Sequence, residues 1–176
     1  MDIELLVKIT ARAWSLNILD RLDAGVPGRQ APLLAATGAS RTAFGQSLSH
    51  LIDLGLLERN PGHGHPLRPE FRLTPEGVQA ALMAGRVMQA GQEAPALLRR
   101  TWSLPILTVC QRPMYFGEIR GALPAISDRA LSQGLKQLHG QDWLRRETET
   151  TCYPPRPVYL ALGTGMEVAA ATGLVA

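Results

Sequence analysis

The sequence predicts a mostly α-helical fold with small β-hairpins (α+β), built from two tandem copies of one unit. Two observations predict it. The hexapeptide WSLNIL at Trp14 returns as WSLPIL at Trp102, 88 residues on (102 less 14), half the length of the 176-residue chain. The matches then continue in order: Ser40 with Ser127, Phe44 with Leu131, Leu48 with Leu135, Leu51 with Leu138, Leu57 with Leu144 and Arg59 with Arg146. Matched apolar positions over such a length mark an internal duplication. The units divide as residues 1–91 and 92–176 around a junction at Gly91–Pro95. So short a junction implies that the units pack together.

Within each unit the elements follow one order. Leu5, Leu6, Ile9, Trp14, Ile18, Leu19 and Leu22 recur at helical spacing, which predicts a first helix running through the tryptophan and ending at Gly25–Gly28. A short second helix spans Pro32–Thr37, with Pro32 suited to a first helical position. The turn TGAS leads into a third helix, Ser40–Leu51, with Ser40 as its N-cap; LPAIS leads likewise into Ser127–Leu138. GLLERN and EFRLT read as two strands around a Gly/Pro-rich turn that holds His63 and His65. A last helix runs from Pro75 to Gly91. Helix, helix, turn, helix and hairpin make a winged helix-turn-helix. The chain therefore reads as two tandem winged helix-turn-helix domains packed as a pseudo-dimer.

Composition removes several classes of function. With 45% apolar and 19% charged residues, neither disorder nor a coiled coil is favoured. No apolar run approaches the ~20 residues of a membrane span, so no membrane partner is expected. Asp2 and Glu4 stand where a signal peptide carries positive charge, which leaves a cytoplasmic protein as the expectation. Cys110 and Cys152 alone imply no disulfide framework, and His63 and His65 read as turn residues rather than metal ligands. Neither a metal nor a cofactor is expected. No nucleophile elbow, zinc-protease or phosphate-loop pattern occurs, so the chain is not read as an enzyme.

The third helices carry the functional reading. Phe44, Leu48 and Leu51 share one side, which turns Thr42, Gln46 and Ser49 outward with His50 beside them. In the second unit Leu131, Leu135 and Leu138 face inward, and Arg129, Gln133 and Lys136 take the outward positions. Glutamine pairs in bidentate fashion with adenine and arginine with guanine across the major groove, while lysine and hydroxyls suit base or phosphate contacts. The hairpins add Arg59 and Arg68 in the first unit and Arg145, Arg146 and Arg156 in the second, where a wing beside DNA would neutralise phosphates. The net charge of +3 permits this without demanding it; each half is close to neutral, so folding must gather any basic face.

The second unit resembles the HxlR-type winged-helix regulators. TWSLPIL, YFGEIRGALPAISDRALSQGLKQL and YPPRPVY occur in order between Leu97 and Gly165 and match a Trp-led helix, an F-x-E-L-type helix, LP-x-I-S before the recognition helix, and a P-P-R wing. The resemblance implies a bacterial transcription factor that binds double-stranded operator DNA through Arg129, Gln133 and the Arg156 wing. Gly134 departs from it, since the family carries a bulky polar residue there, and YLALGTG lacks the Y-x-L-T signature. The first unit is similar to a more generic MarR-like winged helix. Redox-sensing members of the family carry a cysteine ahead of the tryptophan helix; here that place holds LLRRT, Cys110 reads as a buried core residue and Cys152 falls in the wing.

Family members are homodimers, so two fused copies would make the chain its own dimer, and unequal helices imply an imperfect or asymmetric operator. Repression is the sign expected. A homodimer on top of the pseudo-dimer and a small-molecule effector are further partners compatible with the sequence. Trp14, Trp102, Phe116 and Met83 are placed in the core ahead of an effector pocket between copies. The alternative is a tandem winged-helix protein-interaction module that reads no DNA sequence.

Overall fold

The computed structural model describes residues 1–60, 69–150 and 154–174. The first half runs α1 (Ile3–Thr10), α2 (Ser15–Asp23), α3 (Gln30–Thr37), α4 (Arg41–Asp53), β1 (Leu57–Asn60), β2 (Glu70–Leu73) and α5 (Pro75–Ala90). The second runs α6 (Pro95–Leu98), α7 (Ser103–Val109), β3 (Met114–Tyr115), α8 (Phe116–Ala122), α9 (Asp128–His139), β4 (Leu144–Glu149), β5 (Arg156–Ala161) and α10 (Thr164–Ala171). Helices dominate and the sheets are small and antiparallel, as an α+β winged helix requires.

One expectation is corrected in both halves. The helix does not run through the tryptophan; it breaks just before it. Trp14 precedes α2 at φ −107° and ψ 4°, and Trp102 precedes α7 at φ −101° and ψ −8°. Neither break contains glycine or proline, so local propensity does not announce it. In the first half tertiary contact supplies the reason: the Trp14 N–H donates to Ser47 Oγ of α4 at 3.4 Å. The chain then turns through 11–14, and Ser15 N–H donates to the Arg12 carbonyl at 3.2 Å, as Ser103 N–H does to that of Arg100.

The short second helix starts two residues earlier than expected, at Gln30, which makes Pro32 its third residue. The first-turn N–H groups of a helix have no partner within it, so proline costs nothing there. The third helices carry the expected caps, Ser40 Oγ accepting from Ala43 N–H at 3.3 Å and Ser127 Oγ from Ala130 N–H at 3.2 Å. Both extend past the expected ends, to Asp53 and His139.

Both hairpins are antiparallel. β1 pairs with β2 so that Leu57 faces Leu73 and Arg59 faces Phe71; β4 pairs with β5 from Leu144–Ala161 to Glu149–Arg156. In the second half β3 adds a third strand to β5. The first half keeps a remnant of it, in which Phe71 N–H donates to the Gly28 carbonyl at 2.6 Å. A β-carbon on Gly28 would collide with the Phe71 carbonyl. Two residues of strand leave too little pattern to be read from sequence.

The buried apolar residues of both halves form one cluster. Within each half the tryptophan-led helix lies against the last helix, α2 on α5 and α7 on α10; between halves α5 packs on α10 and α1 on α7. Arg86 Nε donates to the Ala171 carbonyl at 3.1 Å across that seam. Met83 is closed into the core at 1% exposure, and Trp14 lies beneath the guanidinium of Arg99.

Candidate nucleic-acid interface

Each third helix sorts its side chains by burial. On α4, Phe44, Leu48 and Leu51 are buried, while Thr42, Gln46 and Ser49 are exposed. On α9, Leu131, Leu135 and Leu138 are buried, while Arg129, Gln133 and Lys136 are exposed. The periodicity of one turned-in face therefore presents the same polar positions in both halves, with Gln46 and Gln133 at the centre.

His50 differs from its neighbours. It is half-buried, and its Nε2 lies 2.7 Å from the Lys8 carbonyl at the end of α1. One ring nitrogen is thus occupied in tying α1 to the last turn of α4. Gly134, the departure noted in the sequence, faces inward: a β-carbon there would lie 2.6 Å from Cδ1 of Ile106. The glycine lets α9 settle closely on α7, and its counterpart in the first half is the buried Ser47 that receives the Trp14 N–H.

The hairpin arginines divide into groups. Arg146 of β4 shares a groove of about 310 Å³ with Lys136 and His139 of α9. Arg145 is the preceding residue on the strand, so it projects from the opposite face; its Nε lies 3.1 Å from Glu147 Oε1. Arg156 is exposed at the start of β5 and Arg59 is exposed on β1. Arg68 lies outside the described residues, as do His63, His65 and Cys152. The structure thus gathers Lys136 and Arg146 with the outward face of α9 and leaves Arg145 apart.

Acidic groups shape the charge. Asp128, in the first turn of α9, is held by Arg120 Nε at 2.8 Å, and the same arginine donates to the Pro124 carbonyl at 3.2 Å. This leaves Arg129, which makes no ion pair among the described residues, as the cation at the start of the outward face. On α4 that position holds the neutral Thr42, with exposed Arg41 before it. The helix ahead of α9 is itself fixed by Glu118, whose carboxylate accepts the Tyr115 N–H at 2.8 Å.

Three exposed arginines outside the sequence-derived set accompany these helices: Arg41, Arg12 and Arg100. The signal for the last two was present, since each stands two residues before a repeated tryptophan, but its meaning depends on where that turn lies. Cys110 is buried, as expected, and burial pushes its thiol up to about 12. Among the described residues no cluster of His, Cys, Asp and Glu could hold a metal ion, and no helix is long and apolar enough to cross a membrane.

The family model for the HxlR-like helix-turn-helix matches residues 97–174, which hold α9 and the β4–β5 hairpin. A solved structure described as a transcriptional regulator of the MarR family from Porphyromonas gingivalis is similar over 45% of this chain and 78% of that one, at 26% identity and a TM-score of 0.41. Among curated proteins, none matches the chain.

Proposed function

From the HxlR-like helix-turn-helix that residues 97–174 carry, we infer that the chain is a DNA-binding transcriptional regulator, with repression as the expected sign. In this reading α4 and α9 are recognition helices in the major groove, and the arginines of the two wings neutralise phosphates alongside. The observation that carries it is the pair of serine-capped helices with an apolar inner face and an exposed glutamine at the matched position. A helix built only to close a core needs no such coincidence.

The packing of α5 on α10 supports residues 1–91 and 92–176 as two winged helices that act as an intrachain dimer. Their outward faces are unequal. Arg129, Gln133 and Lys136 bring two cations to the second half-site, whereas Thr42, Gln46 and Ser49 bring none to the first. The operator is accordingly an imperfect palindrome or asymmetric. A selected consensus with strict two-fold symmetry and one chain per site would refute that part of the reading.

The test is fluorescence anisotropy of the full chain on duplex DNA from upstream of its own gene, beside a scrambled duplex, at two salt concentrations. Arg129→Ala and Gln133→Ala should each weaken specific binding by roughly 5- to 150-fold, corresponding to ~1–3 kcal/mol per base contact. Binding that ignores sequence and those substitutions would turn the reading toward a protein-interaction module.

A further inference from the structure

We propose that Arg12 and Arg100 are phosphate-binding residues, one beside each recognition helix, so that the turn before each tryptophan is part of the DNA interface. The inference rests on the DNA-binding reading and adds to it a site outside both the helix-turn-helix and the wing.

Two hydrogen bonds bracket Arg12. Upstream, the Lys8 carbonyl meets His50 Nε2 at 2.7 Å; downstream, the Trp14 N–H meets Ser47 Oγ at 3.4 Å. The turn 11–14 therefore runs along α4 between its residues 47 and 50, each of which follows an exposed residue, Gln46 and Ser49, in the chain. Arg12 is exposed and makes no ion pair among the described residues.

The second half repeats the arrangement. Arg100 lines an open groove of about 740 Å³ with Gln133, Lys136 and Gln137 of α9 and with Glu93 ahead of α6, so that two cations face one carboxylate there. Gln137 is the counterpart of His50, and Gln133 that of Gln46. Arg100 is likewise exposed and without an ion pair among the described residues. Its neighbour Arg99 is spent elsewhere, 4.9 Å over the ring of Trp14. Consecutive arginines thus divide their tasks: Arg99 joins the two halves, and Arg100 stands beside α9.

The backbone holds both turns alike. Ser15 N–H donates to the Arg12 carbonyl and Ser103 N–H to the Arg100 carbonyl, each at 3.2 Å. A free guanidinium next to the centre of a groove-entering helix meets the phosphates that border the groove, and its fork suits two phosphate oxygens. Such a contact adds affinity and salt dependence without sequence preference.

The test uses the full chain and a duplex of scrambled sequence, so that no operator need be known. The variants are Arg12→Gln and Arg100→Gln, with Arg112→Gln as a control that removes one exposed positive charge beyond the far end of α7. Each of the first two should bind roughly tenfold more weakly and flatten the plot of log K against log salt by about 0.9. A second duplex of unrelated sequence should lose affinity by the same factor. All three variants should melt like the parent, because the side chains are exposed. If the parent chain binds and the two variants behave like Arg112→Gln, the phosphate assignment is overturned and the DNA reading stands. If the parent chain shows no salt-dependent binding to any duplex, both fall together.

Discussion

The guanidinium of Arg99 lies 4.9 Å from the ring centroid of Trp14, a side chain of the second half stacked on the signature aromatic of the first. Its counterpart in the first half is Ala11, so the contact is made once and not twice. The two halves of the chain are therefore joined by an asymmetric contact.

Arg99→Ala should lower stability by about 1 kcal/mol, the scale of a partly desolvated cation–π pair. Arg99→Lys should recover part of it, since Trp is the strongest aromatic partner for either cation. Urea unfolding followed by tryptophan fluorescence measures both. Equal midpoints for the parent and the alanine variant would show that the stack contributes nothing.

The glycines at the starts of the last helices should be intolerant in both halves. A β-carbon on Gly77 would intrude on the Leu56 carbonyl, and one on Gly165 on the Trp143 carbonyl. Those carbonyls also accept the N–H groups of Thr74 and Leu162 at 3.1 and 3.0 Å, which fixes them in place. Gly77→Ala and Gly165→Ala should each cost roughly 3 kcal/mol, the upper range for overpacking where backbone must move. Thermal melts that leave either variant at the parent's midpoint would contradict this close approach.

The glycines within α4 and α9 should respond in opposite directions. Gly45 has open space where a β-carbon would go, so Gly45→Ala should stabilise α4 by about 1 kcal/mol through helix propensity. Gly134 faces Ile106 at 2.6 Å, a side-chain tip in the buried core, so Gly134→Ala should destabilise by ~1–3 kcal/mol. Chemical denaturation of the two variants side by side tests the sign of each.

Cys110 should be inert in the folded chain. Burial pushes its thiol up to about 12 from the ordinary 9.0, so almost no thiolate forms at neutral pH. In a Cys152→Ser background a thiol reagent should label the chain only after unfolding. The linkage follows from the same shift. Above pH 9.0 the unfolded chain releases this proton and the folded chain keeps it, which favours unfolding. The thiol's contribution is complete below pH 9.0 and is lost as pH rises to about 12, at ~1.4 kcal/mol per pH unit. Cys110→Ala should remove that part of the alkaline decline.

What the sequence by itself determined is what local chemistry carries. The repeated motif, the apolar faces of α4 and α9, their serine caps and the strand pairs can all be read by matching or spacing residues along the chain itself. Each was legible for that reason. The tertiary structure decided the rest. Nothing local breaks the helix before Trp14; the hydroxyl of Ser47, distant in sequence, takes the N–H that would otherwise continue it. Gly134 read only as a departure from the bulky polar residue of the resembled family until α7 lay against it. Arg12 and Arg100 were visible as repeated residues, yet only the path of their turns along α4 and α9 gives them a position. Periodicity states which way a side chain points from its own helix; which neighbour it meets is settled only when segments far apart in the chain are packed together.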